Sequence, residues 1–426
     1  MSGTTPAPGE EHGFSLPIQV VEAEGITAWL VEDQSVPVVS FAWSWSGGAA
    51  LDPTGQEGAA AMAANLLTEG AGSLRANDFA DALRDQAITL NFSADRDSLE
   101  GGFRALTTAL PEAVRLARLA MTEPRLDEDA VERVRARSVA AARRALETPR
   151  GQAGQAFWAA AFPGHSAGRP SGGTPDSLTG LPVEAIRAAL GRQLRHEGLL
   201  VAVSGAISAA DLRALLPTLF AGLPAGAPPA LPPLPPFRAF GQQVLAVATP
   251  QSSVVFGQEG LSAADPDWEA AQVMLRILAG GSFTSRLMQS VREERGLAYG
   301  IAAGIDLLFG HGIVIGSVAT ENARVAETLS VTRAEWARMA AGGPTEAELA
   351  DAVAFLTGSM PLQLSDSRRV ADTLLSLRQN NRPRNWLAER PARLRALTRE
   401  RLAAVAARVL APDALSVIIA GQPAGL

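Results

Sequence analysis

Gly280–Ile305 reads GGSFTSRLMQSVREERGLAYGIAAGI. After two glycines, Ser282, Thr284 or Ser285 can accept the free amides of a helix start, and Leu287, Met288 and Val291 supply an apolar stripe at helical spacing. Gly296 can end the helix in a left-handed conformation, so the pattern predicts a helix finishing near Arg295. The run that follows, LAYGIAAGI, is small, apolar and punctuated by glycine, and reads as a strand packed closely against a neighbour. Arg292 therefore belongs to a last helical turn. Tyr299, the only tyrosine of the chain, falls seven positions later, in or just before the strand. The turn between them can bring the two side chains to one site.

With 426 residues the chain is long for a single core and suits two domains of about 200 residues each. Lys plus Arg number 37 against 44 Asp plus Glu, a net charge of −7, and no basic block stands out, which disfavours a nucleic-acid partner. No run of apolar residues is long enough to predict a membrane span. Cysteine is absent, which excludes disulfides, thiol catalysis and Cys-based metal sites. The beginning, MSGTTPAPGEEHGF, has neither a basic start nor an apolar core and does not read as a signal peptide.

The alternation in VVSFAWSWS puts Phe41, Trp43 and Trp45 on one face of a strand. The helix AAAMAANLLTEGAG is small or apolar on nearly every side, and a long arginine-bearing helix is predicted from Asp127 to Leu146. A proline-rich stretch at 223–239 favours an extended path and reads as a linker. It separates a domain at 15–222 from one at 240–426. Both halves end in the same order, helix, short hinge, apolar strand and Gly, with the strands at Leu199–Gly205 and Leu415–Gly421. The expected fold class is α+β: two similar domains, each a mainly antiparallel sheet with helices on one face.

This plan, together with SRL, Arg292, RGLAY and the loop AFPGHSAGRPSGGT, resembles the M16 (insulinase- or pitrilysin-like) zinc peptidases. In that family an arginine and a tyrosine at this spacing hold and polarise the scissile carbonyl, and Arg292 and Tyr299 match those positions. Active members carry HxxEH in the first domain, two zinc ligands at i and i+4 with a glutamate that activates water. The matching segment here is GAAAMAANLLTEGA from Gly58, which puts Ala61 and Asn65 at the histidines and Ala64 at the glutamate. The third ligand position falls near Ala142. None of the four histidines, His12, His165, His196 and His311, has a partner at metal-ligand spacing. Asn91 falls on the edge-strand segment that pairs with substrate backbone in relatives, although Phe92 replaces a small residue beside it.

The resemblance therefore implies a non-catalytic subunit with no cofactor of its own. Its partner would be an M16 subunit bearing HxxEH and zinc, and the substrate a peptide. A homodimer is possible in the partner's absence. Location in the periplasm follows from the resemblance if a signal peptide has been replaced, with a cytoplasmic protein as the alternative. A structural or peptide-holding protein that takes no part in cleavage is the competing function.

Overall fold

The computed structural model describes residues 16–280 and 283–426. The first half contributes β1 (Gln19–Ala23), β2 (Ile26–Glu32), β3 (Val38–Ser46), the two-residue strands β4 (Gly70–Ala71) and β5 (Leu74–Arg75), β6 (Thr89–Ala94), β7 (Ser98–Leu106) and β8 (Leu200–Gly205). The second contributes β9 (Gln242–Ala246), β10 (Gln251–Glu259), β11 (Ala298–Leu308), β12 (His311–Glu321) and β13 (Ser416–Gly421). One sheet has the order β1-β2-β8-β3-β7-β6 and the other β11-β12-β10-β13-β9. Read from its β9 end, the second sheet repeats β2-β8-β3-β7-β6 strand for strand. The pairing repeats too: β2 with β8 and β9 with β13 are parallel, and the remaining neighbours are antiparallel.

The two-residue period of a strand sorts side chains onto opposite faces of each sheet. In the first sheet Ala28, Leu30, Phe41, Trp43, Val201 and Val203 join a core with that half's own helices. Their neighbours Val31, Ala42 and Ala202 point the other way, and they too are buried. What covers them comes from the second half: Val370, Ala371, Leu374 and Leu375 of the helix Ser367–Gln379. The same helix is pinned by Arg378 Nη1, which donates to the carbonyls of Thr27 and Val201, and by Gln379 Nε2, which donates to Glu100 Oε1 at 2.6 Å.

The exchange is reciprocal. Phe157 and Ala161, on the helix Pro149–Ala161 of the first half, pack with Val255, Ile418 and Ala420 on the second sheet. The linker joins this cluster, with Phe237 and Phe240 6.0 and 5.6 Å from Phe157 and the Arg238 amide donating to Ala161 O at 3.1 Å. The expectation of helices on one face of each sheet is thus corrected. Each sheet is covered on one face by helices of its own half and on the other by a helix lent by its neighbour.

Phe157 is fully buried at this exchange, and its truncation to Ala should remove about 3–5 kcal/mol of stability. Because the helix bridges both halves, urea unfolding followed by tryptophan fluorescence and by circular dichroism should shift as one transition. Two separated transitions, only one of them moved, would show that the halves are not mutually dependent.

Candidate functional site

The helical segment that carries Arg292 is held at its start by a buried guanidinium. Arg286, 8% exposed, grips Glu348 through two bonds, Nε to Oε1 at 2.6 Å and Nη2 to Oε2 at 2.7 Å, and also donates to Gly343 O. Glu348 in turn closes a capping box with Thr345 at the start of the helix Glu346–Gly358. From Met288 to Glu293 the backbone is a π-helix rather than the α-helix expected from the spacing, and Glu294 N donates to Gln289 O five residues back. Such wide turns are common at functional sites. No side-chain cap is made by Ser285, whose hydroxyl is buried without a partner, and Ser282 lies outside the described residues.

Gly296, with φ +58°, ends the segment as anticipated: its amide donates to Arg292 O, the bond of an αL cap, and the Leu297 amide donates to Val291 O. Thr320 Oγ1 and Arg324 Nη1 hold the carbonyls of Leu297 and Gly296, so the turn is tied to the sheet. In the pairing of β11 with β12, Ala298 faces Thr320 but Ile301 faces Val318. Two residues, Tyr299 and Gly300, therefore stand opposite Ala319. This is a β-bulge, which re-aims side chains, and Tyr299 projects from it with 87% of its surface exposed.

The Arg292 guanidinium lies 4.6 Å from the centroid of the Tyr299 ring and 4.6 Å from that of Phe283, between two aromatic groups. Its Nε also lies 3.3 Å from Glu293. The structure thus brings Arg292 and Tyr299 together. Phe283, 60% exposed, was not singled out from the sequence; its place two positions after a double glycine carries no periodic signal.

The degenerate metal positions meet elsewhere. Ala61 and Asn65, one helical turn apart on the helix Ala59–Leu66, line a cavity of about 510 Å³ together with Ala142 from the helix Glu128–Glu147. Ala64 turns into the core instead. Alanine offers no donor atom to a cation, and no group of three or more His, Cys, Asp or Glu among the described residues could hold a metal ion. Arg96 is the side chain that sequence reasoning missed here. Its Nη1 donates to the carbonyls of Ala167 and Arg169, and its guanidinium lies 4.5 Å from the Trp158 centroid.

The start of the helix Ala59–Leu66 is held by Asp52, whose carboxylate accepts from the Gly58 and Ala60 amides at 3.0 Å each. Burial pushes this carboxyl up to about 6 despite those amides and nearby Arg192 and Arg169. The glycine-rich loop is structural: Arg169 donates to Asp52 O and Glu57, Ser177 donates to Glu57 O, and a Cβ on Gly173 would fall 2.5 Å from Glu57 O. His165 serves the loop as an acceptor, taking the Ala167 amide on Nδ1 at 3.1 Å.

Asn91 is exposed on β6, the outermost strand of the first sheet. Phe92 beside it faces inward, edge-on to Trp43 at 5.9 Å. Asn91 shares a small cleft with Glu100 and Asp372, both pushed upward by burial, and does not join the cavity at Ala61.

Residues 182–356, a span that includes Arg292 and Tyr299, match the family model described as the peptidase M16 inactive domain. Over that span the chain resembles the inactive domain of the M16 (insulinase-like) peptidases. An uncharacterized zinc protease of Mycobacterium leprae is 26% identical over 324 residues, 73% of this chain and 70% of that protein. A non-peptidase homolog of Helicobacter pylori is 24% identical over 337 residues, 78% and 77% of the two. Among solved structures, an M16 inactive domain from Pseudomonas fluorescens superposes with a TM-score of 0.90 at 23% identity, covering 96% of this chain and 98% of that one. A chain of complex III from Candida albicans gives 0.78 at 17% identity, covering 96% of each. These structures show the M16 fold for the chain.

The Arg286–Glu348 pair that anchors the Arg292 segment generates a pH prediction. Burial raises the Glu348 carboxyl, but Arg286 and the Thr345 amide and hydroxyl outweigh it and bring the value down to about 2. A carboxylate held below its unfolded value stabilises the fold above that value and loses the contribution as pH falls toward the folded one. Stability should therefore decline between about 4.5 and 2, and Glu348→Gln should flatten that limb while lowering stability at neutral pH. Urea midpoints across this range check it; an unchanged acid limb in the variant would refute the assignment.

Proposed function

We propose that this chain is the substrate-binding, oxyanion-stabilising subunit of a heterodimeric zinc peptidase, whose partner is an M16 subunit that supplies zinc and HxxEH. The observation that carries the reading is the pairing of an exposed Tyr299 with Arg292 on a bulged edge strand, in a chain whose own ligand positions hold Ala61, Asn65 and Ala142. The repeated sheets support two like domains, at 15–222 and 240–426, joined by 223–239. We also propose a periplasmic location for the working complex, on the family resemblance alone, with the cytoplasm as the alternative.

Zinc held by the partner would supply the activated water for attack on the scissile carbonyl of a peptide, and this chain's residues would act on that carbonyl. Tyr299 Oη donates to the oxygen as it takes on negative charge, and the Arg292 guanidinium binds the substrate next to the cleaved bond. A donor that acts chiefly in the transition state affects kcat more than KM. The exposed edge of β6 beside Asn91 is suited to accept an extended peptide as an added strand.

Loss of one oxyanion donor costs on the order of 3 kcal/mol, roughly a hundredfold in rate. Tyr299→Phe should therefore lower kcat about a hundredfold in the reconstituted complex with assembly unchanged, and Arg292→Ala should raise KM as well. Steady-state kinetics on a peptide substrate, with assembly followed by size exclusion, measures both. An unaltered kcat in a well-assembled Tyr299→Phe complex would favour the structural, peptide-holding reading instead. The isolated chain, loaded with zinc and desalted, should retain far less than one ion per molecule by elemental analysis. Stoichiometric retention would mean that metal is held elsewhere.

A further inference from the structure

A separate cavity of about 360 Å³ opens where the lent helix Ser367–Gln379 meets β11 and the helix Trp268–Ala279. Ile305, Leu307, Leu377 and Leu387 give it apolar walls, and the indoles of Trp268 and Trp386 line it as well. Its volume lies at the small end of the range for ligand pockets.

Arg382 and Arg390 line it, and with Arg393, which shares the Trp386 ring, they are unequally partnered. Arg390 and Arg393 share the buried Glu269, each 3.2 Å from one of its oxygens. Arg390 also donates to Gln272 Oε1, and Arg393 to Trp386 O and, at 3.5 Å, to Glu389. Arg382 has neither an ion pair nor a side-chain hydrogen bond among the described residues. Its head group rests on two indole faces, 5.6 Å from Trp268 and 5.1 Å from Trp386, and its Nη2 is buried without a hydrogen-bond partner.

Three positive charges stand against Glu269 and Glu389, which leaves one positive charge without a counter-ion. The Arg382 backbone amide is fixed to Leu377 O at 2.8 Å, after the left-handed Asn381, so the charge is held at the cavity by a short turn. Gln272 commits its oxygen to Arg390, and its amide nitrogen adds a donor. A site with surplus donors, one uncompensated cation and apolar walls matches a ligand that only accepts hydrogen bonds, carries a negative charge and has an apolar body.

We propose that this cavity binds the free C-terminal carboxylate of a peptide ending in an apolar residue, with Arg382 as its counter-ion. Such a site would anchor one end of a chain at the seam between the halves, whether or not this protein serves cleavage.

Isothermal titration and tryptophan fluorescence, with N-acetyl-leucine, N-acetyl-leucine amide, free leucine, acetyl-Ala-Ala-Leu and inorganic phosphate as probes, test the proposal on the intact chain. The acid should bind saturably and the amide roughly tenfold or more weakly, the scale expected for losing a charge-assisted bond. Arg382→Gln should bring the acid down to the amide's affinity. Arg384→Gln, at an exposed position two residues along, should leave binding unchanged, and circular dichroism verifies that both variants fold. Tighter binding of the tripeptide than of free leucine assigns the peptide end; the reverse order would overturn that source. Equal affinity for acid and amide, phosphate binding as tight as the acid, no saturable binding at millimolar probe, or an Arg382→Gln variant that binds like the parent would each overturn the site.

Discussion

The reciprocal loan of one helix by each half is the constraint on which the rest of the structure depends. A sheet with two apolar faces cannot be left half covered, because its uncovered side would expose a contiguous apolar patch. Phe157 on the second sheet and Leu374 on the first close those faces, so neither half buries its sheet alone. Smaller polar links follow the same seam: Asp97 Oδ2 accepts from the Phe309 amide at 2.6 Å, and Ser40 and Ser367 share a hydrogen bond. The edge strand bearing Tyr299 and the helix lining the Ala61 cavity are therefore parts of one packed body.

Within that body the two chemical regions have gone different ways. At Ala61, Asn65 and Ala142 the side chains are small or neutral, and what remains is space bordered by Arg96 and Trp158. The surrounding scaffold is still expensive: Asp52 stays buried at the helix start although burial raises its carboxyl to about 6. Its two amide contacts account for that, since without them the Gly58 and Ala60 N–H groups would be left without acceptors in the interior.

Legibility in the sequence followed period. Phe41 and Trp43 share a face because a strand alternates, and Gly296 stops the helix because its φ is positive. The π-turn at Met288–Glu293 and the bulge at Tyr299 each shift the register locally. Neither leaves a repeat for a periodic reading to find. The helix exchange did leave one trace: β8, LVAVSG, and β13, SVIIAG, are apolar almost without interruption instead of alternating. Such strands are buried on both faces, which conflicts with helices on a single face. Their composition could not say which helix supplies the second cover, because the stripe Val370, Leu374 and Leu377 would suit either sheet.

The two register irregularities also explain how a single exposed tyrosine can stand beside an arginine from another element. A regular strand would send Tyr299 and Ile301 to the same face, and Ile301 is buried in the core. The inserted residue of the bulge breaks that parity and lets Tyr299 leave the core face within two positions of Ile301. The left-handed turn at Gly296 then reverses the chain so that Arg292 lies back over the ring. A guanidinium stacked on an aromatic face keeps its in-plane N–H groups free to bond at its rim, so the Tyr299 contact restrains Arg292 without using up its donors. The local departures from regular structure are thus what make an outward-facing pair of donors compatible with a fully packed sheet beneath it.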